Sequence, residues 1–352
     1  MLSGQQKMTN GLDTDDAKSK GILWFFASLS GVTLLILFFL GAWWGSEPEI
    51  FNVNEEAIHY MDKTDHDEIP LGFVYTNTLA HMAEVLMEKP GGYISNDVAP
   101  PGLFLDNIRS WEYGALVMLR DGTTALRNHF ARNQSQSIED KDLSVAEPYF
   151  YYEPNSWALP STESEYDKGV VALHRYMKRL YAPKGKERRA QFYSRSDNLW
   201  TYLDVIIKRL GGLSTRLTAS TDRFAGAAGI AYDPSGLVAP KNLEESTKGV
   251  GRTPWLLIDD IFYEARGASW ALLHILQAIK IDFADIILDK RAMNTLDNMI
   301  HALENALTPI LSPMVLSGDG FGLFANYSLS MANYIARANA AALDLRDLMN
   351  KG

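Results

Sequence analysis

The densest group of residues able to do chemistry reads RTPWLLIDDIFYEARGASW, residues 252–270. Asp260 and Glu264 stand four apart, so a helix puts both carboxyls on one face. A close acidic pair can separate its two pKa values, serve as acid and base, or hold a metal. Asp259 and Arg266 stand seven apart, with Tyr263 between them on their face. The same residues have a plainer reading. Acids in a first turn complement the helix dipole, and an Arg pair closes the charge. Glu245 is a further candidate, as the lone general acid that glycan cleavage uses.

Metal and nucleophile signals are thinner. Glu56-Ala57-Ile58-His59 has the Glu-x-x-His spacing of di-iron bundles, which need two such motifs, and the chain has one. His59 and His66, with Asp62 and Asp67, could chelate a metal or sense pH, or simply form a solvated linker. No HExxH, paired-cysteine or P-loop motif occurs. Gly267-Ala268-Ser269-Trp270-Ala271 lacks the final glycine of a nucleophile elbow, so Ser269 reads as a small packing residue. No cofactor is implied. For binding, the run PYFYYEPNSW (residues 148–157) offers Tyr151 and Trp157, although such aromatics also pack across bundles. Residues 220–254 form a long Gly- and Pro-rich stretch, the first place to look for a functional loop.

The elements that must position these groups are helices. Five sets of apolar residues alternate three and four apart, the seam of helices packed at shallow angles. They are Leu116 through Phe130, Leu199 through Leu217, Ile258 through Phe283, Leu296 through Ile310, and Met331 through Met349. Further helical candidates cover residues 71–87 and 165–181. Asp-Asn pairs at 106, 197 and 297 read as N-caps. No stretch shows sustained period-2 alternation, so the expectation is an all-α bundle with long irregular loops, one of them at residues 144–160. The helix over residues 258–283 should be its most buried element.

Location comes from residues 21–44, GILWFFASLSGVTLLILFFLGAWW, with no charge between Lys20 and Glu47. About 20 helical residues cross a ~30 Å hydrocarbon core. Trp24, Trp43 and Trp44 stand where interfacial aromatics belong, and no small-residue cleavage site follows. Lys18 and Lys20 precede the run; Glu47 and Glu49 follow it. The expected plan is a cytoplasmic tail at 1–20, a bilayer anchor at 21–45, and a periplasmic all-α domain at 46–352. A sub-boundary is expected near 183–190. The net charge of −10 falls wholly on that domain and speaks against a nucleic-acid partner. The chain has no cysteine, which fits a bacterial periplasm.

Two resemblances bear on function. Glu245-Ser246 and Gly226-Ala227-Ala228-Gly229-Ile230 are similar to the motifs of periplasmic lytic transglycosylases, but in reversed order and without the Met-Gln that follows there. Arg252 to Trp255, YEARGASWALLHIL (residues 263–276) and the DNLW helix at Asp197 resemble a family of proteobacterial inner-membrane-anchored envelope proteins bearing a domain of unknown function. That likeness implies the inner membrane and the periplasm and transfers no catalytic residue. The functional expectation is a membrane-tethered module that binds an envelope protein or peptidoglycan. A peptidoglycan hydrolase and a ligand-sensing module are the alternatives.

Overall fold

The computed structural model describes residues 3–62, 69–133, 138–181, 189–219, 253–310, 312, 314–316 and 326–350. The architecture is all-α. A long helix α1 (Ser3–Trp44) leads, followed by α2 (Val53–Asp62) and α3 (Phe73–Glu88). Next come α4 (Asp106–Ala125), α5 (Leu143–Phe150), α6 (Thr162–Tyr181) and α7 (Ser196–Ala219). Then follow α8 (Ile258–Asp282), α9 (Ala284–Asp289), α10 (Met293–Ala306) and α11 (Ser328–Asn350). Among the described residues the only strands are Val315–Leu316 and Asn326–Tyr327, paired in parallel.

Helix α8 is the axis. Every residue from Ile261 to Leu276 is buried, its apolar residues covering more than one face and Glu264, Arg266, Ser269 and His274 buried among them. Helix α4 lies parallel to it. Ser110 bonds Asp260 near one end of the pair, and Gly122 sits against Ile275 near the other. The two backbones touch at glycine. A methyl on Gly114 would lie 2.0 Å from the Glu264 carbonyl oxygen, and one on Gly267 1.8 Å from that of Trp111. Only hydrogen fits at either place. Helix α3 runs antiparallel to α4, with the Tyr75 hydroxyl on the Gly122 carbonyl and Lys89 on Glu112. Helices α7 and α11 pair antiparallel, Asp204 facing Arg346 and Gly211 facing Asn339. Helix α10 packs between α8 and α11, and α6 against α3 and α5.

Three details differ from the sequence reading. Residues 144–160 are irregular only in their second half, because α5 carries Pro148 within its eight residues. The Asp-Asn pairs are not side-chain caps. Asp297 lies inside α10 and pairs with Lys280, Asp197 pairs with Arg195, and Asp106 bonds only the next backbone N–H. The cap of α3 comes instead from a distant helix. Asp282 accepts the N–H groups of Gly72 and Tyr75 at 2.9 and 2.7 Å, satisfying two first-turn donors. The proposed sub-boundary at 183–190 lies almost wholly outside the described residues.

In α1, Leu23–Trp44 is long and apolar enough to cross a membrane, with a mean hydropathy of 2.3. One side of its end is covered: Leu37, Leu40, Gly41 and Trp44 are at least partly buried, while their neighbours are exposed.

Candidate functional site

The four α8 candidates do not converge on one point. Glu264 is buried and accepts both guanidinium N–H groups of Arg216 from α7, one at 2.6 Å. Asp260, half-buried, accepts the Ser110 hydroxyl at 2.8 Å. Burial pushes its carboxyl up, and Asp259, Asp106 and Glu264 add to that in falling order against the Ser110 bond. Burial also raises Asp259, with Asp106 adding repulsion. The expected Asp260/Glu264 acid–base pair is not free to act as one: Glu264 still adds slightly to the upward push on Asp260, but both its oxygens are held by Arg216. The expected Asp259–Arg266 pairing is also overturned. Arg266 points away and grips Glu47.

That contact opens a seam that the sequence reading missed. Arg266 donates to both Glu47 oxygens at 2.7 Å through Nε and Nη2. Its Nη1 donates to the Ala306 and Thr308 carbonyls at 3.0 and 3.1 Å, closing the C-terminal end of α10. One turn further along α8, the Trp270 indole N–H donates to the Glu49 carbonyl at 3.0 Å. One more turn on, His274 Nε2 accepts the Phe51 N–H at 3.1 Å. His274 Nδ1 lies 2.7 Å from the Trp270 carbonyl, so Nδ1 carries the proton and Nε2 is free to accept. The Phe51 ring stacks on the imidazole at 3.8 Å.

The spacing explains why this works. Residues 47, 49 and 51 share a side of an extended chain and advance ~6.6 Å per pair. Residues 266, 270 and 274 share a stripe of helix and advance ~6 Å per step of four. The two rises match, so three anchor points stay in register. The segment that leaves α1 is thereby laid along the most buried helix of the domain. Burial holds His274 down to about 4 and pushes Tyr263, beside Glu47, up to about 12. A cleft of about 560 Å³ borders this seam, between residues 45–50, Tyr263, Arg266 and the Leu307 to Ile310 turn.

Other buried charges are structural too. Lys89 and Glu112 form an ion pair at 2.6 Å with side chains 1% and 0% exposed. Glu112 also accepts the N–H groups of Ile94 and Ser95 and the Ser95 hydroxyl, fixing the turn after α3. On α2, His59 is exposed and Glu56 half-buried, and among the described residues no His, Cys, Asp and Glu side chains group to hold a metal. Glu56 and His59 gain no further ligand among the described residues, and His66 lies outside them. So do Glu245 and all but the last two positions of the 220–254 stretch.

The aromatic candidates are placed differently. Tyr151 is 48% exposed and lies under Arg120, which also donates to the Phe150 and Tyr152 carbonyls. Trp157 and Leu159 are 64% and 98% exposed on a loop held from both sides. Asn96 donates to the Ser156 carbonyl, Thr162 accepts the Ser156 N–H, and the Thr162 hydroxyl donates to Glu153.

The chain belongs to the bacterial family described as "Uncharacterized protein conserved in bacteria (DUF2333)", which matches residues 17–352. This agrees with the resemblance drawn from residues 252–276 and the Asp197 helix. No curated protein and no solved structure matches the chain.

Proposed function

We propose that this is a single-pass inner-membrane protein whose helical domain is fixed at the periplasmic face of the membrane as a platform for another envelope protein. The observation that carries this reading is the seam from Glu47 to Phe51 along α8. A domain that works at the end of a flexible tether needs no such contact. One that must present a surface at a set height and orientation does. Two of the four α8 candidates, Glu264 and Arg266, are held in ion pairs that join elements, which favours a structural role for this region over catalysis.

The lysines at 18 and 20 and the acids at 47 and 49 support the orientation, with residues 46–352 outside. The surface best suited to a partner is the loop bearing Trp157 and Leu159. Its backbone is pinned, so little ordering entropy opposes binding, and an exposed tryptophan on a rigid loop suits an interface anchor. The test is a photocrosslinking residue placed at Trp157 in cells, with Leu288 as the exposed control. A discrete adduct from position 157, absent from 288 and lost on Leu159→Asp, is expected. Equal adducts from both positions, or none from 157, would contradict the platform reading.

A further inference from the structure

Five large apolar side chains are exposed at one end of the domain. Val98, Leu103 and Phe104 are 57%, 46% and 73% exposed, and Trp255 and Leu256 are 70% and 75% exposed. They sit on two short 3-10 turns and their approaches, Gly102–Phe104 ahead of α4 and Trp255–Leu257 ahead of α8. Because α4 and α8 are parallel, both turns lie at the same end, and Asp106 and Asp259 just behind them are close enough to repel.

That end is also where α1 arrives. A methyl on Gly41 would touch Pro101 Cβ at 3.5 Å, and Leu105 Cδ2 lies 3.8 Å from the same point and from its equivalent on Gly45. The turn Gly102–Phe104 is bracketed by these two contact residues. Gly41 stands three residues before Trp44, about 4.5 Å back into the apolar stretch of α1. Leu103 and Phe104 are therefore level with the last turn of that stretch. The second turn reaches a similar depth. Tyr263 borders the same cleft as Gly45 and Glu47. Trp255 and Leu256 precede it by eight and seven residues, on the 3-10 turn ahead of α8, roughly 12 Å back in the same direction.

Taking α1 as the membrane span, we propose that Leu103, Phe104, Trp255 and Leu256 insert into the outer leaflet beside it, so that the domain is seated in the lipid and not suspended above it. Exposed apolar patches of this kind mark contact surfaces, and tryptophan favours the headgroup boundary. The occupant is acyl chain and glycerol backbone, not anionic headgroup. Among the described residues the charged neighbours are Asp97, Asp106, Asp259 and Asp260, with Arg109 bonded to the Asp97 carbonyl, an acidic balance that anionic lipid would repel.

The absence of native cysteine allows a direct test on the full chain in bilayers of zwitterionic and anionic phospholipid containing spin-labelled lipid. An environment-sensitive fluorophore is attached at Phe104→Cys or Leu256→Cys, with Phe38→Cys as the span control and Leu288→Cys as the distal control. Quenching by the lipid label at 104 and 256, several-fold above that at 288 and unchanged between low and high salt, is the expected result. Quenching at 38 with 104 and 256 open to aqueous iodide would overturn the insertion and leave the anchor standing. Shielding of 104 and 256 from both lipid label and iodide would assign the patch to a second copy and also overturn it. No quenching at 38 would overturn the anchor reading and the insertion together.

Discussion

Arg266 shows how much one side chain can hold. Its four hydrogen bonds join the chain leaving α1, helix α8 and the end of α10. Removing one partner of a buried pair leaves the other charge without compensation, at about 3–5 kcal/mol. Arg266→Leu should therefore cost about that much in chemical denaturation. Glu47→Gln, at the more exposed end, should cost less. Wild-type stability in Arg266→Leu would mean that the seam carries no load. Among the shifted acids and histidines, the two largest contributions to the pH response come from buried groups of opposite sign. Burial holds His274 down to about 4, so its contribution is present above about 6.5 and fades as pH falls toward 4. Burial raises Asp282 to about 7 against its two N–H bonds, so its contribution is present below about 3.9 and fades as pH rises toward 7. Between pH 4 and 6.5 the two offset each other. Asp282→Asn should expose the His274 slope, with stability falling as pH falls. His274→Gln should expose the reverse slope, each up to about 1.4 kcal/mol per pH unit. Urea titrations across this range give both slopes; equal slopes of one sign would contradict the assignment.

At the scale of the element, the crossing of α4 and α8 depends on Gly114 and Gly267. A methyl at either would meet backbone, not a side chain able to turn away. The helices would have to separate, and Gly114→Ala and Gly267→Ala should each cost at least the 1–3 kcal/mol typical of overpacking. Gly212 in α7 has nothing within 4 Å of the same position, so Gly212→Ala should stabilise by roughly 0.5–1 kcal/mol through helix propensity. Thermal melts of the three variants should therefore move in opposite directions. A shared direction would mean the α4–α8 contact is misplaced. Most of these elements were legible in the sequence, because an apolar residue every three or four positions has no other stable use. The burial of α8 followed from the same pattern. The partners of its charged residues did not. Asp260 and Glu264 share a face by spacing, but Glu264 is taken by Arg216 on a helix 48 residues away in sequence. Local spacing shows which residues share a face and says nothing about what arrives from another helix. Nor does local spacing show that the first turn of α3 is satisfied by an aspartate from α8.

For the whole molecule, the account turns on how the domain meets α1. Its sequence signal was present but unpaired: residues at 47, 49 and 51 in steps of two, and at 266, 270 and 274 in steps of four. Only the fold shows that the two ladders face each other. On the proposed reading this seam fixes the height and tilt of the domain over the membrane, and with them the direction in which Trp157 and Leu159 point. The most direct test is a spin–spin distance distribution between labels at Trp43→Cys and Leu288→Cys, both exposed positions, in the full chain reconstituted in a bilayer disc. A single narrow distribution in the otherwise wild-type chain, broadening several-fold in the Arg266→Gln background, is the predicted result. A broad distribution already present without that substitution would contradict it, because the domain would then be swinging on a free tether.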